Sequence, residues 1–231
     1  MDTPRDDDRT LLTPAGDVPL QEYHLRAAGR AWAILHTGAV LTRDDESHFL
    51  GELADRLPYG VALWPATIAL AHEILARAGA FDGKRVLELG AGTGLPGIVA
   101  ASLGGRVVQT DRNKLALEIC QRNGARNGAR AIEHRLADWA EWDDTERYDW
   151  IIGSDILYGE AAHPALRRIF AANLAPGGRI LLADPFRAAS FRLLEALEAE
   201  GWALVVGKWN IGEDAAMRPI GLFELAPSRR A

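Results

Sequence analysis

The stretch Arg85-Val86-Leu87-Glu88-Leu89-Gly90-Ala91-Gly92-Thr93-Gly94-Leu95-Pro96-Gly97 reads as a strand, a glycine-rich turn and the opening of a helix. Val86 and Leu87 are adjacent apolar residues rather than alternating ones, as a parallel strand covered on both faces requires. Gly90, Gly92 and Gly94 let the backbone bend sharply and lie against a ligand, and Pro96 suits the first helical turn. Downstream the chain keeps the same alternation. Strands are predicted over 106–110, 132–136, 149–154 and 179–183, with helices over 96–103, 113–127, 163–174 and 190–200. This is the pattern of an α/β, Rossmann-like, doubly wound and mostly parallel sheet. Two last strand-like runs, 202–209 and 220–225, have no clear helix between them and are expected to be antiparallel.

Upstream, Pro65 opens a helix whose Ile68, Ala71, His72 and Leu75 fall at helical spacing, with Gly79 at its end. Two runs, 22–26 and 31–36, flank Ala27-Ala28-Gly29-Arg30 and predict a hairpin, followed by a polar helix over 44–57. The acidic segment 1–18 reads as a disordered tail, 19–60 as a hairpin-and-helix appendage and 61–231 as the main domain.

A chain of 231 residues with 48% hydrophobic and 25% charged residues has material for one sizeable core. Its formal net charge of −6 argues against a nucleic-acid partner. No long apolar run follows the acidic start, so neither a leader nor a membrane anchor is expected. One cysteine, Cys120, and six scattered histidines fit a reducing cytoplasm and no structural metal. Cys120 and His72 sit at helical spacing from apolar residues and read as packing positions.

In a doubly wound sheet the first strand-to-helix turn lies nearest the ligand. Gly92 to Gly97 also satisfies the dinucleotide pattern G-x-G-x-x-G, with Asp111 near the distance of a ribose-binding acid. The turn alone therefore leaves a dinucleotide and S-adenosylmethionine both open. Glu88 favours the second, because its carboxylate would attract a cationic amine and repel a pyrophosphate. The roughly 140 residues after the turn continue one sheet and open no second substrate domain, which counts against a dehydrogenase. Asp111 is expected to accept ribose hydroxyls, Asp138 an adenine amino hydrogen, and Trp139 to stack on the adenine ring or pack in the core.

The run Val86 to Gly94, with Asp111 and Asp138, resembles the motifs of class I S-adenosylmethionine-dependent methyltransferases. That resemblance implies a seven-stranded sheet whose last strand is antiparallel. Leu63-Trp64-Pro65-Ala66, Leu95-Pro96-Gly97 and Ser154-Asp155-Ile156-Leu157-Tyr158 are similar to segments of the family 16 protein-lysine methyltransferases, and Asp184-Pro185-Phe186-Arg187 to the D-P-x-R of bacterial relatives. The resemblance implies that Asp155 orients an acceptor amine, that Tyr158 shapes its pocket, and that Trp64 and Ser154 lie with the donor. A cap of the following helix is the lesser alternative for Asp155, while Tyr158 fits equally as plain packing and Trp64 as an anchor of its own helix. The expected acceptor is a protein lysine. A small-molecule amine is the alternative, behind which stand a catalytically silent donor-binding protein and an NAD-dependent oxidoreductase.

Overall fold

The computed structural model describes residues 9–13, 16–40, 59–212 and 217–228. Two short hairpins come first: β1 (Thr10–Thr13) pairs with β2 (Gly16–Pro19), and β3 (Gln21–Ala27) with β4 (Arg30–His36). The second reverses through Ala28 and Gly29 at φ of 51° and 72°, the left-handed pair that a two-residue hairpin loop needs. After α1 (Pro65–Ala76) the alternation runs β5 (Arg85–Leu89), α2 (Leu95–Ser102), β6 (Arg106–Asp111), α3 (Lys114–Arg126), β7 (Glu133–Leu136), β8 (Tyr148–Ser154), α4 (His163–Asn173), β9 (Leu174–Asp184) and α5 (Ala188–Ala199). The antiparallel pair β10 (Trp202–Ile211) and β11 (Arg218–Pro227) ends the fold.

The large sheet has seven strands in the order β7-β6-β5-β8-β9-β11-β10. β5 to β9 are mutually parallel, and β11 inserts antiparallel between β9 and β10. Alternate residues of the central strands point to opposite faces. Val86, Ile152 and Leu181 pack with Leu70 and Ile74 of α1 and Ile98 of α2, while Leu87, Ile151 and Ile180 pack with Ile169 of α4 and Leu193 of α5. Both faces are covered by helices, so neither tolerates polar alternation. Because β5 leads to β6 on one side and β8 lies on the other, strand order reverses at β5 and opens a crevice beyond the carboxyl ends.

The segment read as a tail through Val18 contains the strand β1 and most of β2. Leu11 is fully buried and, with Val18 and Leu20, packs against Leu35, Val61 and Ile119. A four-residue strand beside an acidic run carries too little periodicity to be seen in sequence. The polar helix expected over 44–57 lies outside the described residues. Among the described residues no helix is long and apolar enough to cross a membrane.

Candidate active site

The carboxyl ends of β5, β6, β7 and β8, together with the segment that enters α1, enclose a cavity of about 600 Å³. That is within the size range of small-molecule sites, roughly 300–1,000 Å³. Its floor is the glycine turn. Gly90 and Gly92 sit at φ of 63° and 56°, where a side chain is strained. A Cβ on Gly90 would meet Ile156 Cγ2 at 2.9 Å and Trp139 at 3.4 Å, and one on Gly92 would meet the Gly60 carbonyl oxygen at 2.9 Å. The turn is therefore pressed between the wall of the cavity and the chain that leads to Trp64.

Asp111 ends β6 and is pinned in place, its Oδ2 accepting from Gly92 N–H at 3.1 Å and its Oδ1 from Asn113 N–H at 2.9 Å. Burial pushes its carboxyl above the ordinary range, against those same hydrogen bonds. Asp138 follows β7 and accepts from Ala140 N–H at 2.9 Å, beside Trp139, whose ring lines the cavity next to Gly90. Trp64 is only 7% exposed, caps α1 and lines the cavity, so it anchors its helix and faces the cleft at once. Ser154 lines the same cleft and shares a 2.9 Å hydrogen bond with Thr67 of α1. Thr93 also lines it, with a buried hydroxyl that has no hydrogen-bond partner among the described residues.

Glu88 and Gly94 do not line the cavity. The alternation that sends Leu87 and Leu89 to one face of β5 sends Val86 and Glu88 to the other, beneath α2. There Glu88 Oε2 accepts from Gly97 N–H at 3.1 Å and from Gln109 Nε2 at 2.7 Å, so it serves a buried first-turn amide of α2 that has no partner within the helix. The expectation that Glu88 faces a ligand's amine gives way to this anchoring role. Gly94, at φ 79°, is the N-cap of α2, and a Cβ there would strike Gln109 Nε2 at 2.9 Å and Cys120 Sγ at 3.0 Å. It is required by packing, not by ligand approach. Gln109, in register with Glu88 on the neighbouring strand, is the signal in the sequence that Glu88 has a partner inside the protein.

Burial pushes the Glu88 carboxyl up to about 8, against the opposing hydrogen bonds from Gln109 and Gly97. The native state thus keeps a proton that the unfolded chain releases above its ordinary carboxyl range. Stability must fall as pH rises through that window and level off above about 8. Glu88→Gln removes this titration while keeping an acceptor for both donors. Thermal unfolding of both forms from pH 5 to 8.5 is expected to show the variant gaining on the parent by roughly 3–4 kcal/mol across the window. Parallel pH dependences of the two proteins would contradict the assignment.

On the far side of the cleft Asp155 follows β8 with φ 54°, a left-handed conformation that costs an aspartate little but is still uncommon. Its N–H donates to the Ala183 carbonyl at 2.9 Å, and its Oδ1 accepts from Arg187 Nη1 at 2.6 Å. The next helical segments begin at Gly159 and beyond, so Asp155 is not their cap. Tyr158 stands at the rim, 53% exposed, lining the mouth instead of packing in the core. Arg187, missed as a site residue in the sequence, reaches Asp155 because β8 and β9 lie side by side with Ser154 opposite Ala183.

The N-terminal hairpin is tied to this site through α3. Asn123 and Asn127, four residues apart on one helical face, use their carboxamides as a substitute strand for the outer edge of β4. Asn127 bonds both N–H and C=O of Ala33, and Asn123 both N–H and C=O of Leu35. Asn123 is fully buried and also donates to the Thr93 carbonyl at 2.9 Å, inside the glycine turn.

Residues 51–192 match the family model described as Lysine methyltransferase. Protein N-lysine methyltransferase METTL21A of Xenopus tropicalis is 34% identical over 137 residues, which take in 57% of this chain and 63% of that protein. Histone-arginine methyltransferase METTL23 of Xenopus laevis is 35% identical over 106 residues, 43% of this chain and 45% of that one. The match thus spans less than two thirds of either relative. Among solved structures, the ribosomal protein L11 methylase of Lactobacillus delbrueckii subsp. bulgaricus aligns with a TM-score of 0.57 at 22% identity, covering 71% of this chain and 79% of that chain, a likeness of fold.

Proposed function

Since the chain belongs to the lysine methyltransferase family, we infer that its cleft binds S-adenosylmethionine and that the protein methylates an amine, the side chain of a protein lysine. The observation that carries this reading is the convergence on one cavity of the glycine turn, Asp111, Asp138 and Trp139 on one side and Asp155 on the other. The cleft suits the donor on its own features. Gly90 and Gly92 give a floor without side chains, Asp111 and Asp138 present carboxylates for ribose hydroxyls and an adenine amino group, and Thr93 brings a buried hydroxyl still in want of a partner. Bound there, S-adenosylmethionine supplies a methyl group already activated on a sulfonium.

The residues of the chain then have little acid–base work to do. Their task is alignment within the cleft. Asp155, fixed by its backbone bond to Ala183 and by Arg187, orients the amine by hydrogen bonding, and Tyr158 borders its approach. A lysine has an ordinary pKa of about 10.4 and must arrive neutral to attack; proximity to a positive sulfonium favours that loss of a proton. The family description and the name of the METTL21A relative support a protein lysine over a small-molecule amine. A cytoplasmic setting fits Cys120, the only cysteine of the chain, which is a buried thiol beneath the glycine turn.

Incubation with methyl-labelled donor and either a protein lysate or a metabolite extract tests the acceptor. Label is expected in precipitable protein, and hydrolysis of that protein is expected to release methyl-lysine. Label confined to the small-molecule fraction would overturn the protein-lysine reading.

A further inference from the structure

The two edges of the large sheet differ. β7 ends it with 4 residues, whereas β10 ends the other side with 10, and among the described residues nothing pairs with the outer side of β10. Edge strands are ordinarily kept from further pairing by brevity, bulges, proline or charge. β10 carries no proline, its register with β11 runs unbroken from Trp202 to Ile211, and Lys208 is its one charged residue. Helices cover it only at its ends: Trp202 and Leu204 pack on the α5 side with Leu193 and Leu197, and Trp209 stacks on His72 of α1 on the other. The middle is bare on both faces, with Val205 62% and Val206 56% exposed.

We propose that β10 pairs antiparallel with β10 of a second copy of this chain, about a two-fold axis at Val206, joining the two seven-stranded sheets edge to edge. The backbone is set for this. Pro219 lies opposite Asn210 and Pro227 opposite Trp202, and a proline has no N–H to give. These are therefore the pairs of the β10–β11 ladder that exchange no hydrogen bonds, and such pairs alternate. Leu204, Val206 and Lys208 accordingly turn N–H and C=O to the free edge, where the same groups of a second copy complete them. The side chains suit the same register. Val205 falls opposite Gly207 of the second copy, which leaves room for a branched side chain, and Val206 meets its own counterpart. Lys208 falls opposite Leu204, so the two lysines stand about 13 Å apart along the strands. Leu204 lies under α5, whose exposed Glu195 and Glu198, like Lys208 itself, have no ion pair among the described residues. An incoming Lys208 thus meets an acidic helix. Centring the pairing on Lys208 would set the lysines face to face, and centring it on Leu204 would leave the second half of β10 uncovered.

Sedimentation velocity of the parent protein from about 1 to 200 µM tests this, since an edge-to-edge contact is small and its dissociation constant is expected in the micromolar range. A reversible monomer–dimer equilibrium is expected. Val206→Lys brings two ammonium groups to the axis and is expected to weaken the dimer about tenfold or more. Val206→Pro removes an N–H that the ladder to β11 does not use, so the fold tolerates it while the pairing loses its central bonds; the same weakening is expected. At a concentration where the parent is monomeric, both variants are expected to unfold within about 3 °C of it. A parent that stays monomeric throughout overturns the proposal, as does a dimer equally tight in the folded variants, which would place the contact on another surface. Should both variants fail to fold, Lys208→Glu decides, because it sets a carboxylate against Glu195 and Glu198. Weakening of the dimer by several-fold supports the proposal, and an unchanged dimer overturns it.

Discussion

Asn123→Leu is expected to lower the unfolding free energy by about 3 kcal/mol or more and to weaken donor binding, because it leaves three buried backbone groups without their partner. Leucine fills the space that asparagine leaves, so the loss would come from unsatisfied hydrogen bonds and not from a cavity. The Leu35 N–H and C=O and the Thr93 C=O each depend on this one carboxamide, and all three lie where water does not replace it. Asn127→Leu is the control, since it also unties β4 but touches no residue of the glycine turn. Denaturant unfolding and S-adenosylhomocysteine titration of both variants separate the two effects. The Asn123 variant should lose several-fold more affinity than the Asn127 variant. Equal losses would mean that the link between hairpin and turn has no bearing on the ligand.

These amides show where sequence reading reaches its limit. The helix that carries them is legible, because Ala116, Leu117 and Cys120 mark an apolar face and a helix over 113–127 is close to the observed Lys114–Arg126. Nothing in a polar asparagine identifies it as the partner of an edge strand some 90 residues earlier in the chain. The parallel, doubly wound character of the sheet is legible because covering both faces of β5, β8 and β9 forces apolar residues into adjacent positions, whereas the number of seven strands comes from the family resemblance. The direction in which Glu88 points runs against expectation, although the period of two along β5 groups it with Val86, on the side of α2. Proximity in sequence to the glycine turn is not proximity to the ligand. The strand pleat decides otherwise. Asp111, Asp138, Trp139, Ser154 and Asp155 are legible as neighbours around one cavity because each lies at or just past the carboxyl end of a strand, and parallel strands bring those ends together. Arg187 requires the pairing of β8 with β9, which no local motif reveals.

Asp155→Asn is expected to reduce methyl transfer by about 100-fold or more while S-adenosylhomocysteine affinity stays within about threefold of the parent. Asparagine is the informative replacement because it tolerates the left-handed backbone at φ 54° as aspartate does, whereas alanine would add strain of its own. The bond from Asp155 N–H to the Ala183 carbonyl is unaffected, so the turn after β8 keeps its course. What changes is charge. The substituted carboxamide would offer Arg187 a neutral oxygen and would present the acceptor with an amide whose donor and acceptor ends are fixed. A lysine amine that must give up a proton and then point its lone pair along the line of transfer is poorly held by such a group. The fall should appear in kcat more than in the donor's KM, since Asp155 follows β8 and is separated by β5 from β6 and β7, which carry Asp111 and Asp138, the residues proposed to hold the nucleoside. Turnover within about threefold of the parent would mean that Asp155 serves only to anchor Arg187, and the orientation of the amine would then have to come from elsewhere on the rim, where Tyr158 also stands.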